Sequence, residues 1–440
     1  VIGPKTIQAE MRKPAPARGL ALPGTGAKVH EHYLRNGLRL VLLERPGDLV
    51  VTSLLWYGAG SRHEAPHEAG VAHFLEHMMF KGTKRFGKGL VDATTTSLGG
   101  SNNAFTSFDH TAYWFELASD RFEAALELEA DRMKGLLLDP AEFISEKAVV
   151  LEELSMGRDD PWRRLSQDVS HELFGRHPYG APIIGHPETL QPMSVEIMRA
   201  WYERTYQPCM GTLVLAGDLH PKSTLSMVRK HFGSIESGPA PAPVLCAPLR
   251  EPEGERRIEK RWDDAASRLV MAYSTVSVGT DQDFDLDLID TLLTGGRVSR
   301  LYKRLVLTDG LATMVGSSSD TRMEGGAFWI NAEAVPGVDL AELERVIEEE
   351  ITRLADEPIP AKEMRRVQRT LRSGDAFEAE TVSDLAEWFG GFAVDADWRM
   401  LLDWEERRAA VNAKRVRATA RQLLTRERRV VGWSLPGKES

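Results

Sequence analysis

Two histidine pairs with helical spacing stand within one short stretch, residues 61–77, which reads SRHEAPHEAGVAHFLEH. His63 and His67 fall in H-E-x-x-H, and His73 and His77 fall in H-x-x-E-H. Residues four apart share one face of an α-helix, so either pair could hold a zinc ion. A hydrolytic zinc takes three protein ligands and keeps one position for water. The backbone decides between the pairs. Pro66 disfavours helix at Ala65 and has no N–H to donate. Gly58, Gly60 and Gly70 surround it, so the first motif reads as loop. The second motif lies in an apolar run without Pro or Gly, which predicts a buried helix from Glu68 to about Lys81. His73 and His77 are therefore the expected ligands. Glu76 lies on the same side of that helix, where it can reach a metal-bound water as general base. Two hydrogen-bonded core histidines beside a solvated glutamate would give the same pattern, and a third ligand separates the readings.

The third ligand should be a carboxylate on a neighbouring element. ISEKAVVLEELSMGRDD (144–160) is a helical pattern with Glu146, Glu152 and Glu153. Glu146 and Glu153 are seven apart, two turns along one face. Val149 and Val150 suggest that this face is partly buried, where a carboxylate needs a partner such as zinc or a zinc-bound histidine.

The elements around these residues suggest two halves. Residues 1–28 read as an irregular arm. Two strands precede the motif, a strand pair with a turn near Asp109 follows it, and helices are expected at about 119–135, 140–157, 161–174 and 194–205. Residues 236–255, rich in Pro, Gly and Ala, form the linker. The segments 194–219 and 412–437 then share one plan of amphipathic helix, short gap, strand and turn. An α+β fold follows, with two homologous domains of antiparallel sheet packed with helices: 29–235, bearing the motif, and 256–440, whose corresponding helix has no histidine.

Composition narrows the function. With 55 basic and 65 acidic residues the net charge is −10, and there is no long basic stripe, which speaks against nucleic acid as partner. No apolar run is long enough to span a bilayer. Two cysteines, Cys209 and Cys246, give neither a disulfide framework nor a cysteine-rich zinc site. The histidines at 110, 177 and 186 read as structural or surface groups.

The segments GVAHFLEHMMFKGT (70–83), GGSNNAFTSFDHTAYWFEL (99–117), EKAVVLEEL (146–154), HPYGAPIIG (177–185) and YQPCMGTLVLAGD (206–218) resemble, in order, the inverzincin metallopeptidases of the pitrilysin/insulysin group. The chain is most similar to the smaller members that resemble mitochondrial processing peptidase. The resemblance implies one Zn²⁺ per chain, held by His73, His77 and Glu153. It implies Glu76 as general base and Glu146 as the residue orienting a ligand histidine. It implies an extended substrate added as a strand along NNAFTS, with Asn103, Ala104 and Phe105 as contacts. The family's clamshell encloses unfolded peptides between two such two-domain halves, so this chain supplies one half.

One departure stands out. Active members also present an Arg and a Tyr, seven residues apart, that stabilise the oxyanion. In SRLYKRLVLTDGLATMVGS (299–317) those positions hold Val306 and Thr313, while Arg304 and Tyr302 are out of register. The expectation is a heterodimer in which a homologous subunit brings the Arg/Tyr pair, with a homodimer possible when the chain is alone. The alternative is a noncatalytic scaffold of the same fold, although such a subunit is expected to lose at least one zinc-site residue. The start at Val1 and the resemblance to paired bacterial members point to the periplasm, with the cytoplasm as alternative.

Overall fold

The computed structural model describes residues 16–242 and 246–437. Two sheets form its frame. The first uses β1 (Arg18–Ala21), β2 (Lys28–Tyr33), β3 (Arg39–Glu44), β4 (Val50–Tyr57), β5 (Ser101–Thr106), β6 (Thr111–Ala118) and β7 (Gly211–Gly217), in the order β1-β2-β3-β7-β4-β6-β5. The second uses β8 (Arg256–Trp262), β9 (Arg268–Thr275), β10 (Ala312–Thr321), β11 (Gly326–Ala334) and β12 (Arg429–Pro436), in the order β10-β11-β9-β12-β8. Each sheet has one parallel pair, β3 with β7 and β8 with β12; the others are antiparallel.

The order β3-β7-β4-β6-β5 repeats as β8-β12-β9-β11-β10, with the parallel pair in the same place. The halves are therefore two copies of one topology, and the first adds β1 and β2. In both copies a helix and a short gap feed the last strand, β7 or β12, which is the plan that 194–219 and 412–437 share in sequence. β1 corrects the expected arm: residues 18–21 pair with β2, because Gly19, in the left-handed region at φ 69°, lets the chain bulge onto its neighbour. The arm's residues 1–15 lie outside the described residues.

Five helices of the first half position the site: α1 (Val71–Met78), α2 (Leu90–Ser97), α3 (Glu123–Gly135), α4 (Pro140–Arg158) and α5 (Pro161–Phe174). α1 is shorter than the expected Glu68–Lys81. Gly70 has φ 94°, and a Cβ there would meet the Ile184 carbonyl oxygen at 2.5 Å, so the helix can begin only after it. α4 starts cleanly, with Pro140 in its first turn and the Asp139 carboxylate accepting from the N–H groups of Ala141 and Glu142. Its buried stripe runs through Phe143, Glu146, Val150 and Leu154. Val149 lies beyond the edge of that stripe and is 49% exposed, contrary to the expected partial burial.

The halves interlock by exchanging helices. The apolar stripe of α5, Leu165, Val169 and Leu173, packs with Val270, Ala272 and Val430 of the second sheet. In return the helix Val382–Asp395 lies on the face of the first sheet that carries Leu54, Trp56 and Val214. Gly390 makes this close approach possible, since a Cβ there would meet Trp56 Nε1 at 2.4 Å. His110 ties the halves again, its Nδ1 lying 2.9 Å from Asp395. Cys209 and Cys246 form no disulfide. No helix among the described residues is long and apolar enough to cross a membrane.

Candidate metal centre

α1 has one polar stripe. Val71, Ala72, Phe74, Leu75 and Met78 are buried, which leaves His73, Glu76 and His77 on the remaining face. α4 crosses this face and brings two carboxylates. Glu153 Oε2 lies 3.6 Å from His73 Nε2 and 3.7 Å from His77 Nε2. A tetrahedral zinc site with bonds of about 2.0–2.2 Å has ligand atoms about 3.4 Å apart. The three ligand atoms, within 4.8 Å of one another, match that spacing.

The protonation pattern suits a metal. His77 Nδ1 lies 2.9 Å from Glu146 Oε1, a contact that fixes the proton on Nδ1 and turns the Nε2 lone pair toward Glu153. Burial opposes the charge on Glu146, but Lys81, 2.5 Å from its other oxygen, and His77 hold its carboxyl below the usual range. Glu146 is thus a carboxylate, as an orienting acceptor must be. Burial, with His77 and Arg163 adding to it, lowers His73 to about 4, so this imidazole is neutral at pH 7. Its Nδ1 is buried without a hydrogen-bond partner, which leaves Nε2 as the nitrogen facing the cluster. Two imidazole nitrogens and a carboxylate form a donor set that fits zinc. Glu152 is exposed, on the far side of α4.

Glu76 stands beside the three without joining them. Its Oε2 accepts from Thr106 Oγ1 at 2.5 Å, and burial raises its pKa. A carboxylate with a raised pKa is a better proton acceptor near neutrality. Thr106 ends β5, the edge strand of the sheet, so the base and the strand edge are physically linked. Of the expected contacts on β5, Asn103 is exposed and its Oδ1 accepts from Ala104 N–H, while Ala104 packs toward the first-half core. Phe105 turns the other way and meets Trp56 edge-on at 5.5 Å. What the three jointly offer a ligand is therefore backbone edge.

The first motif is not a second centre. His63 Nδ1 accepts from Gly60 N–H at 3.1 Å, and His67 is exposed. Glu64 has a different role. Its two carboxyl oxygens accept from Gly70 N–H and Ala72 N–H at 2.9 and 2.8 Å, capping α1, and burial pushes its pKa up to about 8. Sequence spacing gave no sign of this, because the cap lies six and eight residues before the N–H groups it serves. Lys81 and Thr106 were missed too, although both lie inside the motif segments.

Two outcomes follow for this framework. Glu146→Gln is expected to weaken zinc binding about 10–100-fold, read by competition with a chromophoric chelator. Glu64→Ala is expected to lower unfolding stability by about 1–3 kcal/mol in a denaturant titration, because two buried N–H groups lose their acceptor.

Comparison with known proteins finds relatives of this chain and of its fold. The family model described as Insulinase (Peptidase family M16) matches residues 39–186, and that of the Peptidase M16 inactive domain matches 192–371. An uncharacterized zinc protease of Mycobacterium leprae is 30% identical over 397 residues, which cover 89% of this chain and 88% of the relative. The crystal structure of a protease from Helicobacter pylori superposes with a TM-score of 0.89 at 25% identity, over 93% of this chain and 100% of that one. The periplasmic protease PqqL from Escherichia coli, at 20% identity and a TM-score of 0.77, shares the fold over 92% of this chain but only 47% of its own.

Proposed function

The chain belongs to the insulinase family of peptidases, family M16, and on that premise we propose that it is a zinc endopeptidase for short or unfolded peptides. The observation that carries this reading is the convergence of His73, His77 and Glu153 with Glu76 beside an open strand edge. His73, His77 and Glu153 would hold one zinc per chain. Bound there, zinc would act as a Lewis acid toward the scissile carbonyl.

The chain's own residues do the rest. The outer edge of β5 pairs with an extended peptide through backbone hydrogen bonds, which demand little of its sequence. Glu76 accepts the proton of the attacking water and returns it to the leaving amine, while Thr106 holds the carboxylate in place. Glu146 and Lys81 keep His77 in the required tautomer. We take the neutral Val306 and Thr313 to mean that a homologous subunit supplies the missing oxyanion donors. The double-length PqqL, whose fold contains this one in about half its chain, supports a pair of halves. PqqL is a periplasmic protease, which supports the periplasm for this chain too.

The test is hydrolysis of an unstructured quenched peptide by the purified chain. Slow cleavage at internal bonds is expected, lost on chelation and restored by added zinc. Cleavage indifferent to chelation would contradict the reading.

A further inference from the structure

A cavity of about 440 Å³ opens beside the metal helix. His73 and Thr106 line it on the side of the ligand set and β5, Arg163 and Ser166 come from α5, and Trp329 and Asn331 come from β11 of the second half. It therefore lies where a peptide laid along β5, with its scissile bond over the ligand set, must place a neighbouring residue.

Its chemistry is uneven. Arg163 carries the one permanent charge among the lining side chains. Nearby arginines are paired: Arg164 lies 3.5 Å from Asp168, and Arg268 lies 2.6 Å from Asp264. Among the described residues, no carboxylate is paired with the Arg163 guanidinium, since Asp160 accepts only from its backbone N–H. Its guanidinium lies over Gly157, one turn beyond Glu153 on α4, where a Cβ would meet Cζ at 2.8 Å. The glycine thus lets the planar fork lie flat at the cavity wall. Asn331 Oδ1, across from α5, is buried without a hydrogen-bond partner, so this wall too calls for a polar occupant. Turned over, the same amide donates an N–H. A guanidinium fork, a hydroxyl and an amide in one cavity match a planar, bidentate anion.

We propose that this cavity is a carboxylate subsite and that Arg163 makes the enzyme select peptides carrying a carboxylate next to the scissile bond. The carboxylate comes from an Asp or Glu side chain or from the free C-terminus of a short peptide. This rests on the peptidase reading. The neighbouring charge of a basic residue is rejected by the same cation.

The experiment uses the zinc-loaded, full-length Glu76→Gln chain, which binds without turnover, and fluorescein-labelled peptides followed by anisotropy. One Glu, Gln or Lys is moved along an otherwise neutral unstructured peptide, and a parallel pair ends in a free acid or an amide. At one position Glu is expected to bind about tenfold or more tightly than Gln, and Lys more weakly than either. Adding Arg163→Gln should erase this preference, Arg163→Lys should keep part of it, and Arg163→Glu should turn it toward Lys. Gly157→Ala should reduce it by displacing the fork. An Arg163-dependent preference confined to the acid-ended peptide assigns the site to the chain terminus and upholds the carboxylate class. No preference at any position, or one that survives Arg163→Gln in a folded, zinc-loaded chain, overturns the proposal. Cleavage of the neutral peptide by the wild-type chain reports separately on the peptidase reading.

Discussion

Glu76→Gln is expected to leave the fold and the bound zinc in place and to lower kcat for peptide hydrolysis by about 10²–10⁴-fold. Gln keeps the shape of the side chain and still accepts from Thr106 Oγ1, now 2.5 Å from Glu76 Oε2. It cannot take a proton from water. Glu76 is absent from the cluster of three potential ligands, so metal content should not change. Steady-state kinetics on a quenched peptide, with zinc measured on the same sample, checks both halves of the statement. A fall in activity that tracks loss of zinc would instead make Glu76 a structural neighbour of the ligands. An unchanged kcat would remove it from the chemistry.

The second large effect concerns the oxyanion. Supplying the missing donors is expected to raise kcat/KM by about 10²–10³-fold, the usual effect of one such donor. At the two positions the chain presents neither a guanidinium nor a phenol. Val306 sits in a π-helical turn, Tyr302–Thr308, and packs against the main core. Thr313 is exposed at the start of β10, and its hydroxyl donates to Glu333. Arg304, the cation nearest in sequence, is held by Asp309, Glu349 and Glu350 and is not available. β10 is the edge strand of the second sheet, the topological counterpart of β5. Two routes test the expectation: adding a homologous subunit that carries the Arg/Tyr pair, and installing the pair as Val306→Arg with Thr313→Tyr. The first avoids disturbing the packing of Val306. If a homodimer of the unaltered chain is already fully active and neither route raises its rate, the heterodimer is wrong.

Much of the centre could be read from local patterns. The i, i+3, i+4 stripe of His73, Glu76 and His77 on an otherwise apolar helix is visible in eight residues. So is Pro66, which keeps His63 and His67 in turns. The seven-residue spacing of Glu146 and Glu153 is also local, but which of the neighbouring glutamates faces α1 depends on where α4 lands, and the family resemblance supplied that. Features set by long-range contact were not legible. The late start of α1 depends on Gly70 meeting the loop at Ile184, more than a hundred residues away. The Glu64 cap depends on a turn that no periodicity encodes. The helix α5, which sequence assigns to the first domain, spends its apolar stripe on the second sheet, and nothing in its 3.6-residue period names the sheet it will cover. Arg163 sits on the exposed side of that helix, where a lone arginine reads as solvated surface. Only the docking of α5 on β9 and β12, which brings Trp329 and Asn331 of β11 opposite it, makes it the wall of a cavity.

The zinc stoichiometry of the purified chain, measured by native mass spectrometry beside a Glu153→Ala variant, tests the centre most directly, because it does not depend on a partner, a substrate or turnover. One zinc per wild-type chain, lost or much weakened in the variant while the fold persists, is the expected result. A folded wild-type chain that takes up no zinc, or a variant that holds it as tightly as the wild type, would contradict the assignment of His73, His77 and Glu153 as its ligands.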